Sequence, residues 1–332
     1  MSDTNILTKK DLKSDQEVRW CPGCGDYSIL NSMQAVLAGL GIPKEEFCIV
    51  SGIGCSSRFP YYMNTYGFHT IHGRAPGIAT GVKIANPNLS VWMITGDGDG
   101  LSIGGNHMIH ILRRNVDVKI LLFNNQIYGL TKGQYSPTSP AGLRTKSSPY
   151  GSVDRSFNPL KLALGAGATF VARTMDTHPK HMEQVLLEAA THRGSAFVEI
   201  FQNCVIFNDG CFDAVAGRKV RDERTVDLRA GEAMVYGDNH DKGIRLDGFD
   251  VRATSAAEAG VWDPTVVSSA PATVLAELDG REDLPTAVGL FRRVNAPVFD
   301  QDVHAQVRAV LERKGPGRLE DLLYTKDAWT VS

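Results

Sequence analysis

The stretch Val91-Trp92-Met93-Ile94-Thr95-Gly96-Asp97-Gly98 joins a short apolar run to an abrupt Gly-Asp-Gly turn. The apolar run predicts a buried β-strand, and the glycines let the backbone approach a bound group closely. A second apolar run, at residues 120–124, ends just before Asn125, which follows Asp97 by 28 residues. Because this spacing suits one strand–helix–strand unit, Asp97 and Asn125 are expected at the same edge of one parallel sheet.

Asp97 and Asn125 offer a carboxylate and an amide oxygen, which are ligand types that Mg²⁺ prefers and often shares with phosphate groups. The backbone carbonyl of Ile127 would complete the metal shell, and Gly129 would lie against phosphate. N–H groups near Gly98 can donate hydrogen bonds to diphosphate oxygens. Since Gly-Asp-Gly is also a common turn in which the Asp caps a helix, the spacing to Asn125 is what favours a magnesium–diphosphate site.

Apolar runs alternate with amphipathic segments along the first two thirds of the chain. Helices are predicted at 27–40, near 77–85, at about 105–114, at 159–164 and at 180–190, and strands at 47–50, 91–95, 118–123, 169–171 and 196–200. This alternation predicts an α/β fold with a mostly parallel, doubly wound sheet. In such sheets, ligands bind outside the carboxyl ends of the strands.

The chain divides into three segments by composition. A polar N-terminal tail covers residues 1–13, an α/β domain covers 14–212, and a less regular C-terminal extension covers 213–332. In the extension, charged and Gly-rich sequence replaces the regular alternation, and one helix is predicted at 302–313. We expect the extension to form either a small accessory region or an arm around a partner.

The overall composition is that of an ordinary soluble protein: hydrophobic residues make up 42%, charged residues 22%, and the net charge is −2. There is no basic excess to indicate nucleic-acid binding, and no apolar stretch approaches the roughly 20 residues of a membrane span. The tail lacks the apolar core of a signal peptide. We therefore expect a cytoplasmic protein, whose six cysteines are thiols rather than disulfides.

Cys21 and Cys24 form a C-x-x-C pair in a tight Pro-Gly turn, a spacing that suits zinc, a redox dithiol or an iron–sulfur cluster. A zinc ribbon needs a second C-x-x-C pair, which the chain lacks. A redox dithiol usually follows a strand, and no apolar run precedes Cys21. The pair alone therefore leaves its chemistry open, with an iron–sulfur cluster as one of the alternatives.

Two further thiols follow predicted strands. Cys55 comes just after the strand at 47–50, and Cys204 comes just after the strand at 196–200, so both are expected at the edge that carries Asp97. Together with Cys21 and Cys24 they provide the four thiolates of a [4Fe–4S] cluster. Of the other two cysteines, Cys48 is predicted to be a core residue, and Cys211 is an alternative to Cys204.

Five motifs occur in an order that resembles the β subunits of 2-oxoacid:ferredoxin oxidoreductases, over roughly residues 14–212. They are RWCPGCGDY at 19–27, SGIGCSSR at 51–58, HGRA at 72–75, GDGD at 96–99 and NQIYGLTKGQ at 125–134. The residues of these motifs, and the stretch YSPTS at 135–139, are most similar to those of members that use 2-oxoglutarate. The resemblance implies the fold of the diphosphate-binding half of thiamine-diphosphate enzymes.

The resemblance also implies roles for particular residues. Cys21, Cys24, Cys55 and Cys204 match the [4Fe–4S] ligands, and Asp97, Asn125 and the Ile127 carbonyl match the Mg²⁺ ligands. The matched contacts to thiamine diphosphate are Ile53, Gly54, Cys55, Ser56, His72, Gly96, Gly98, Asp99, Gly129 and Leu130. Lys132 matches a lysine that faces a carboxylate of the 2-oxoacid.

The activity implied by the resemblance is oxidative decarboxylation. A 2-oxoacid, with 2-oxoglutarate the best expectation, reacts with coenzyme A and oxidised ferredoxin to give acyl-CoA, CO₂ and reduced ferredoxin. Pyruvate or branched-chain 2-oxoacids, or a non-oxidative thiamine-diphosphate decarboxylase subunit, are alternatives, and a zinc-stabilised scaffold is a more distant one. Because the chain is too short for a second thiamine-binding domain, an α subunit is expected to complete the site in an α2β2 heterotetramer.

Overall fold

The computed structural model describes residues 7–324, 327–329 and 331, so residues 1–6 of the predicted N-terminal tail lie outside the described residues. The helices are α1 (Asp26–Ala38), α2 (Phe59–Tyr62), α3 (Ala75–Ala85), α4 (Asp97–Leu101), α5 (Gly105–Arg114), α6 (Pro159–Gly165), α7 (Pro179–Thr191), α8 (Asp213–Ala216), α9 (Arg221–Arg224), α10 (Ala270–Ala276), α11 (Phe299–Lys314) and α12 (Leu319–Leu323). The strands are β1 (Phe47–Ser51), β2 (Tyr66–His69), β3 (Ser90–Gly96), β4 (Val118–Asn124), β5 (Phe170–Met175), β6 (Ala196–Phe201), β7 (Thr225–Leu228), β8 (Val235–Tyr236), β9 (Lys242–Asp247), β10 (Asp250–Ser255) and β11 (Thr286–Arg293).

The predicted helices and strands are confirmed, with bounds that differ by a few residues. Strands β1, β4, β5 and β6 are buried along their whole length, as expected for parallel strands covered on both faces, and they are mostly apolar apart from a few polar residues such as Arg173 and Glu199. Strand β2 was not predicted. All four of its residues are exposed at the edge of the sheet, and the strand is too short to show the continuous apolar run of a buried strand.

The main sheet has eight strands in the order β2-β1-β3-β4-β6-β5-β11-β7. Neighbours from β2 to β5 are parallel, whereas β11 is antiparallel to β5 and parallel to β7. In the register, Gly96 lies opposite Phe123, and Asn124 lies opposite Phe201. Strands β3, β4 and β6 therefore end at the same level of the sheet.

Helices cover both faces of the sheet, which makes the fold doubly wound, as predicted. One face packs against α3, α5, α6 and α10, and the other packs against α1, α2 and α7. Each face encloses a separate apolar core, with Trp92 fully buried in the second. No helix in the described part of the chain is both long enough and apolar enough to cross a bilayer.

The segment after residue 212 contributes to the main sheet. Its strands β7 and β11 extend the sheet beyond β5, and β8, β9 and β10 form a separate antiparallel sheet. The division at 212 therefore does not coincide with an edge of the main sheet. β7 has four residues and β11 has eight, and nearly sixty residues separate them along the chain, so no regular strand–helix alternation revealed them.

Candidate functional site

The Gly-Asp-Gly turn places Asp97 at the start of α4, with 2% of the residue exposed. Its Oδ2 accepts hydrogen bonds from the hydroxyls of Ser136 and Thr138, each at 2.6 Å. Burial raises the pKa of Asp97 to about 6, although these two donors oppose the shift. The two hydroxyl residues belong to the stretch at 135–139, and no local pattern predicts that they contact Asp97.

The turn after β4 packs directly on the Gly-Asp-Gly turn. The Tyr128 hydroxyl donates to the Gly98 carbonyl at 3.1 Å, and a Cβ at Gly98 would overlap the Tyr128 ring. In the same turn, Asn125 Oδ1 accepts from the Ile127 N–H at 3.2 Å. The Asp97 carboxylate, the Asn125 amide and the Ile127 carbonyl thus belong to two turns in contact, and this all-oxygen donor set fits Mg²⁺.

Asp99 holds two loops together from inside the protein. Its Oδ1 accepts from the backbone N–H of Gly73 at 2.8 Å and of Ile53 at 3.2 Å, and its Oδ2 accepts from Thr95 Oγ1 at 2.7 Å. The residue is almost fully buried. The cofactor contact that the resemblance implies for Asp99 stays a prediction, and these bonds also hold the loops that carry the predicted contacts Ile53, Gly54 and His72.

Two other predicted contacts lie around this carboxylate. The His72 ring nitrogen Nδ1 is 3.4 Å from Asp99 Oδ1, and the His72 side chain is exposed. Ser56 is buried, and its hydroxyl oxygen would be 3.5 Å from a Cβ at Gly96. The loop after β1 therefore lies against the Gly-Asp-Gly turn.

The four predicted cluster thiols line one cavity of about 180 Å³, which Asn125, Gly129, Lys132 and Gln202 also line. The thiols are those of Cys21, Cys24, Cys55 and Cys204. A Cβ at Gly129 would lie 3.5 Å from the Cys204 sulfur and 3.7 Å from the Cys55 sulfur. Gly129 is therefore close to two of the thiols, in addition to following the turn that carries Ile127.

Cys24, Cys55 and Cys204 are partly buried around the cavity, whereas Cys21 is exposed. Burial raises the pKa of Cys55 to about 12 and also raises the pKa of Cys24, with the nearby Asp26 and other thiols adding to both shifts. Gln202 Nε2 donates to the Cys24 sulfur at 3.3 Å, and Gln202 Oε1 accepts from Asn125 Nδ2 at 2.7 Å. One glutamine side chain thus connects the cysteine cavity to the oxygen-donor turns.

The set of four soft thiol donors facing one cavity fits an iron–sulfur cluster. Within the described residues, no group of three or more His, Cys, Asp and Glu side chains is close enough together to hold a metal ion. Cys48 is buried in β1, as predicted for a core residue. Cys211 lines a different cavity, of about 660 Å³, so the cysteine cavity contains Cys204 rather than Cys211.

A third cavity, of about 600 Å³, is lined by the predicted cofactor contacts Ile53, Gly54 and Leu130. Arg19 and Arg58 line it as well, and both also line the cysteine cavity. Lys132 lines the cysteine cavity but not this third cavity. Arg58 ends the motif at 51–58, and only the folded loop shows that its side chain lies beside Ile53, Gly54 and Leu130.

Several known proteins are similar to this chain in sequence. A family profile described as "Thiamine pyrophosphate enzyme, C-terminal TPP binding domain" matches residues 52–200. The "2-oxoglutarate oxidoreductase subunit KorB" of Mycobacterium tuberculosis is 52% identical over 97% of this chain and 88% of its own length. The chain belongs to the 2-oxoacid:ferredoxin oxidoreductase β subunits. This confirms the family predicted from the five motifs.

Two further comparisons agree with this family. The "2-oxoacid:ferredoxin oxidoreductase 2, subunit beta" of Aeropyrum pernix is 38% identical over 82% of this chain and 93% of its own length. Among solved structures, a chain of the 2-oxoglutarate:ferredoxin oxidoreductase of Magnetococcus marinus, with 2-oxoglutarate, coenzyme A and succinyl-CoA bound, superposes with a TM-score of 0.76 at 34% identity. That match covers 97% of this chain and 96% of the solved chain, so it includes the C-terminal segment of this β subunit.

The role of Asp99 leads to a first prediction. In Asp99→Asn, the amide oxygen can still accept from the N–H groups of Ile53 and Gly73, but both hydrogen bonds lose the negative charge that strengthens them. Hydrogen bonds to charged groups contribute about 1.5–3 kcal/mol, so the amides of Ile53 and Gly73 should lose protection from hydrogen exchange, and the free energy of unfolding should fall by a comparable amount.

Hydrogen exchange followed by mass spectrometry measures this protection for the loops at 52–54 and 72–73. The exposed Asp302→Asn is the matched control, because it makes the same chemical change away from both loops. Unchanged exchange in both loops of the Asp99 variant would contradict the holding role.

Proposed function

We propose that this chain is the β subunit of a 2-oxoglutarate:ferredoxin oxidoreductase. With an α subunit, it would convert 2-oxoglutarate and coenzyme A to succinyl-CoA and CO₂ and deliver two electrons to ferredoxin. The observation that carries the proposal is the cavity shared by the thiols of Cys21, Cys24, Cys55 and Cys204, which adjoins the oxygen-donor turns through Gln202. A decarboxylase that transfers no electrons would have no use for four converging thiols.

The oxygen-donor turns would bind the cofactor through its metal. Asp97, Asn125 and the Ile127 carbonyl would hold Mg²⁺, and the backbone near Gly98 would approach the diphosphate. Thiamine diphosphate, when bound, supplies the chemistry that removes CO₂ from a 2-oxoacid. This chain's own contribution is to fix the diphosphate and to keep the loop at 53–56 beside it, through the bonds that Asp99 makes to Ile53.

The thiols would hold a [4Fe–4S] cluster close to that cofactor. Gln202 bonds to both Asn125 and Cys24, so a single side chain separates a proposed Mg²⁺ ligand from a proposed cluster ligand. Such closeness favours electron transfer from the reaction site to the cluster, and the cluster would pass electrons singly to ferredoxin.

An exposed apolar surface around β2 supports the need for an α subunit. Tyr61, Tyr66, Phe68 and Ile71 expose between 47% and 69% of their surface on and near this edge strand. Contiguous exposed apolar residues of this kind mark protein interfaces. Tyr61 also lines the cavity that contains Ile53 and Gly54, so a subunit that covered this surface would close the reaction site. We propose an α2β2 assembly.

The proposed activity is tested by producing this chain anaerobically with its α subunit. Reduction of ferredoxin or of a viologen dye is then measured with coenzyme A and a panel of 2-oxoacids. We expect 2-oxoglutarate to give the highest kcat/KM, and either subunit alone to give none. Reduction with pyruvate but not with 2-oxoglutarate would overturn the substrate, and a complex that released CO₂ without reducing any acceptor would overturn the reaction class.

The cluster ligands are tested by iron content. Cys204→Ala removes one of the four thiols that line the cysteine cavity. The purified complex should therefore lose most of its iron, together with the visible absorbance that is typical of iron–sulfur proteins. Cys48→Ala and Cys211→Ala are matched controls, since neither thiol lines this cavity, and both should retain their iron. Full iron content in the Cys204 variant would refute the ligand set.

The cation that recognises the substrate is tested by comparing Arg58 with Lys132. A planar guanidinium suits a carboxylate, and Arg58 lines the cavity that contains Ile53 and Leu130. Arg58→Met should therefore raise the KM for 2-oxoglutarate about tenfold to a hundredfold, in line with the roughly 1.5–3 kcal/mol of a hydrogen bond to a charged group.

The same variant should change the KM less for an accepted 2-oxoacid that lacks the second carboxylate. Lys132→Met provides the comparison that the family resemblance suggests. A large effect of Lys132→Met with none for Arg58→Met would return the role to the lysine.

A further inference from the structure

A continuous chain of hydrogen-bonded, mostly buried side chains connects the C-terminal segment to the Gly-Asp-Gly turn. We name it the Arg173 network, and its members in order are Asp279, Arg173, Glu199, Asn124, Thr138 and Asp97. Neighbouring members are joined directly by side-chain contacts of 2.5–2.9 Å. The family motifs include only Asp97 of these residues, together with Thr138 in the similar stretch at 135–139.

The charged end of the network is rigidly held. Arg173 is fully buried, and its Nη1 and Nη2 donate to the two carboxylate oxygens of Asp279 at 2.5 and 2.6 Å. Its Nε donates to Glu199 Oε2 at 2.7 Å. The guanidinium also lies over the Phe201 ring, 4.8 Å from the centroid. Because Arg173 binds one carboxylate oxygen of Glu199 and Asn124 binds the other, the Glu199 side chain has little freedom to rotate.

Asn124 and Thr138 connect Glu199 to Asp97. Glu199 Oε1 accepts from Asn124 Nδ2 at 2.7 Å, which directs Asn124 Oδ1 toward the Thr138 hydroxyl, 2.9 Å away. The Thr138 hydroxyl is also 2.6 Å from Asp97 Oδ2, so its single proton is shared between the two acceptor oxygens, and the neighbouring Ser136 hydroxyl donates to the same Asp97 oxygen. One side of the Asp97 carboxylate is thus occupied by protein groups.

We propose that Thr138, Asn124 and Glu199 are positioning residues for the metal site. They hold Oδ2 of Asp97 on the protein side, so that Oδ1 is presented to Mg²⁺. This inference rests on the proposed function, because Asp97 binds a metal only if the thiamine diphosphate site is real. Residues that orient a metal ligand typically change metal affinity by about 10- to 100-fold when they are mutated.

The surroundings of the network explain why such bracing is needed. Asn124, Thr138, Glu199 and Asp279 all line the cavity of about 660 Å³, which is large enough for many water molecules. Water at this wall would compete for the Asp97 oxygen if the hydroxyl donors were absent. The participation of Asp279 gives the C-terminal segment a direct connection to the proposed metal site.

The experiment measures Mg²⁺ binding rather than turnover. The complex of this chain with its α subunit is saturated with thiamine diphosphate, and Mg²⁺ is titrated by isothermal calorimetry. Thr138→Val keeps the shape of the side chain and removes the hydroxyl, so the Kd for Mg²⁺ should rise at least about tenfold. Thr138→Ser should restore most of the affinity, and iron content should stay unchanged in both variants.

Thr286→Val is the matched control, because Thr286 lines the same cavity outside the Arg173 network. It should bind Mg²⁺ with wild-type affinity. Glu199→Gln removes the charge paired with Arg173 and should also raise the Kd for Mg²⁺. If this variant does not fold, the comparison of Thr138→Val with Thr138→Ser tests the inference.

The outcomes separate this inference from the proposed function. A wild-type complex with no Mg²⁺-dependent binding of thiamine diphosphate would overturn the proposed function and this inference together. Wild-type binding combined with unchanged affinity in Thr138→Val would overturn the inference alone. An equal loss of affinity in Thr138→Val and Thr138→Ser would also overturn it, because the hydroxyl would then be irrelevant.

Discussion

The parallel register of β3, β4 and β6 is the constraint on which the rest of the site depends. Gly96 pairs with Phe123 and Asn124 pairs with Phe201, so the residues that follow these strands emerge at one level. Asp97, Asn125 and Gln202 are those residues. A shift of one residue in any of the three strands would turn the following side chains toward the other face and separate them, which is why the fully buried strands matter to the chemistry.

Gln202 shows what this register achieves. Its amide has both a donor and an acceptor, and it uses them on Cys24 and Asn125 respectively. A side chain with only one kind of group could not connect a sulfur acceptor to an amide donor. The oxygen-donor turns and the cysteine cavity are therefore adjacent to each other.

The sequence revealed the parts of the fold and site that leave a local pattern. Buried parallel strands form apolar runs, and Asp97, Asn125 and the cysteines occur at strand ends with recognisable spacing. The sequence did not reveal β2, because a four-residue edge strand that is exposed throughout lacks the continuous apolar run of a buried strand. Nor did it reveal the holding role of Asp99 or the hydroxyls of Ser136 and Thr138, whose partners are distant in the chain and are chosen by tertiary contact.

The buried ion pair of the Arg173 network is also not predictable from the sequence, because its net contribution to stability is small. A buried ion pair contributes little net stability, since the cost of removing two charges from water offsets their attraction, and apolar residues of similar size often serve as well. Arg173 and Glu199 occupy fully buried positions in β5 and β6, next to equally buried apolar residues such as Ala172, Val198 and Ile200. Stability therefore does not explain their presence. Orientation does, because an apolar side chain at position 199 could not accept the Asn124 hydrogen bond that directs the chain of contacts to Asp97.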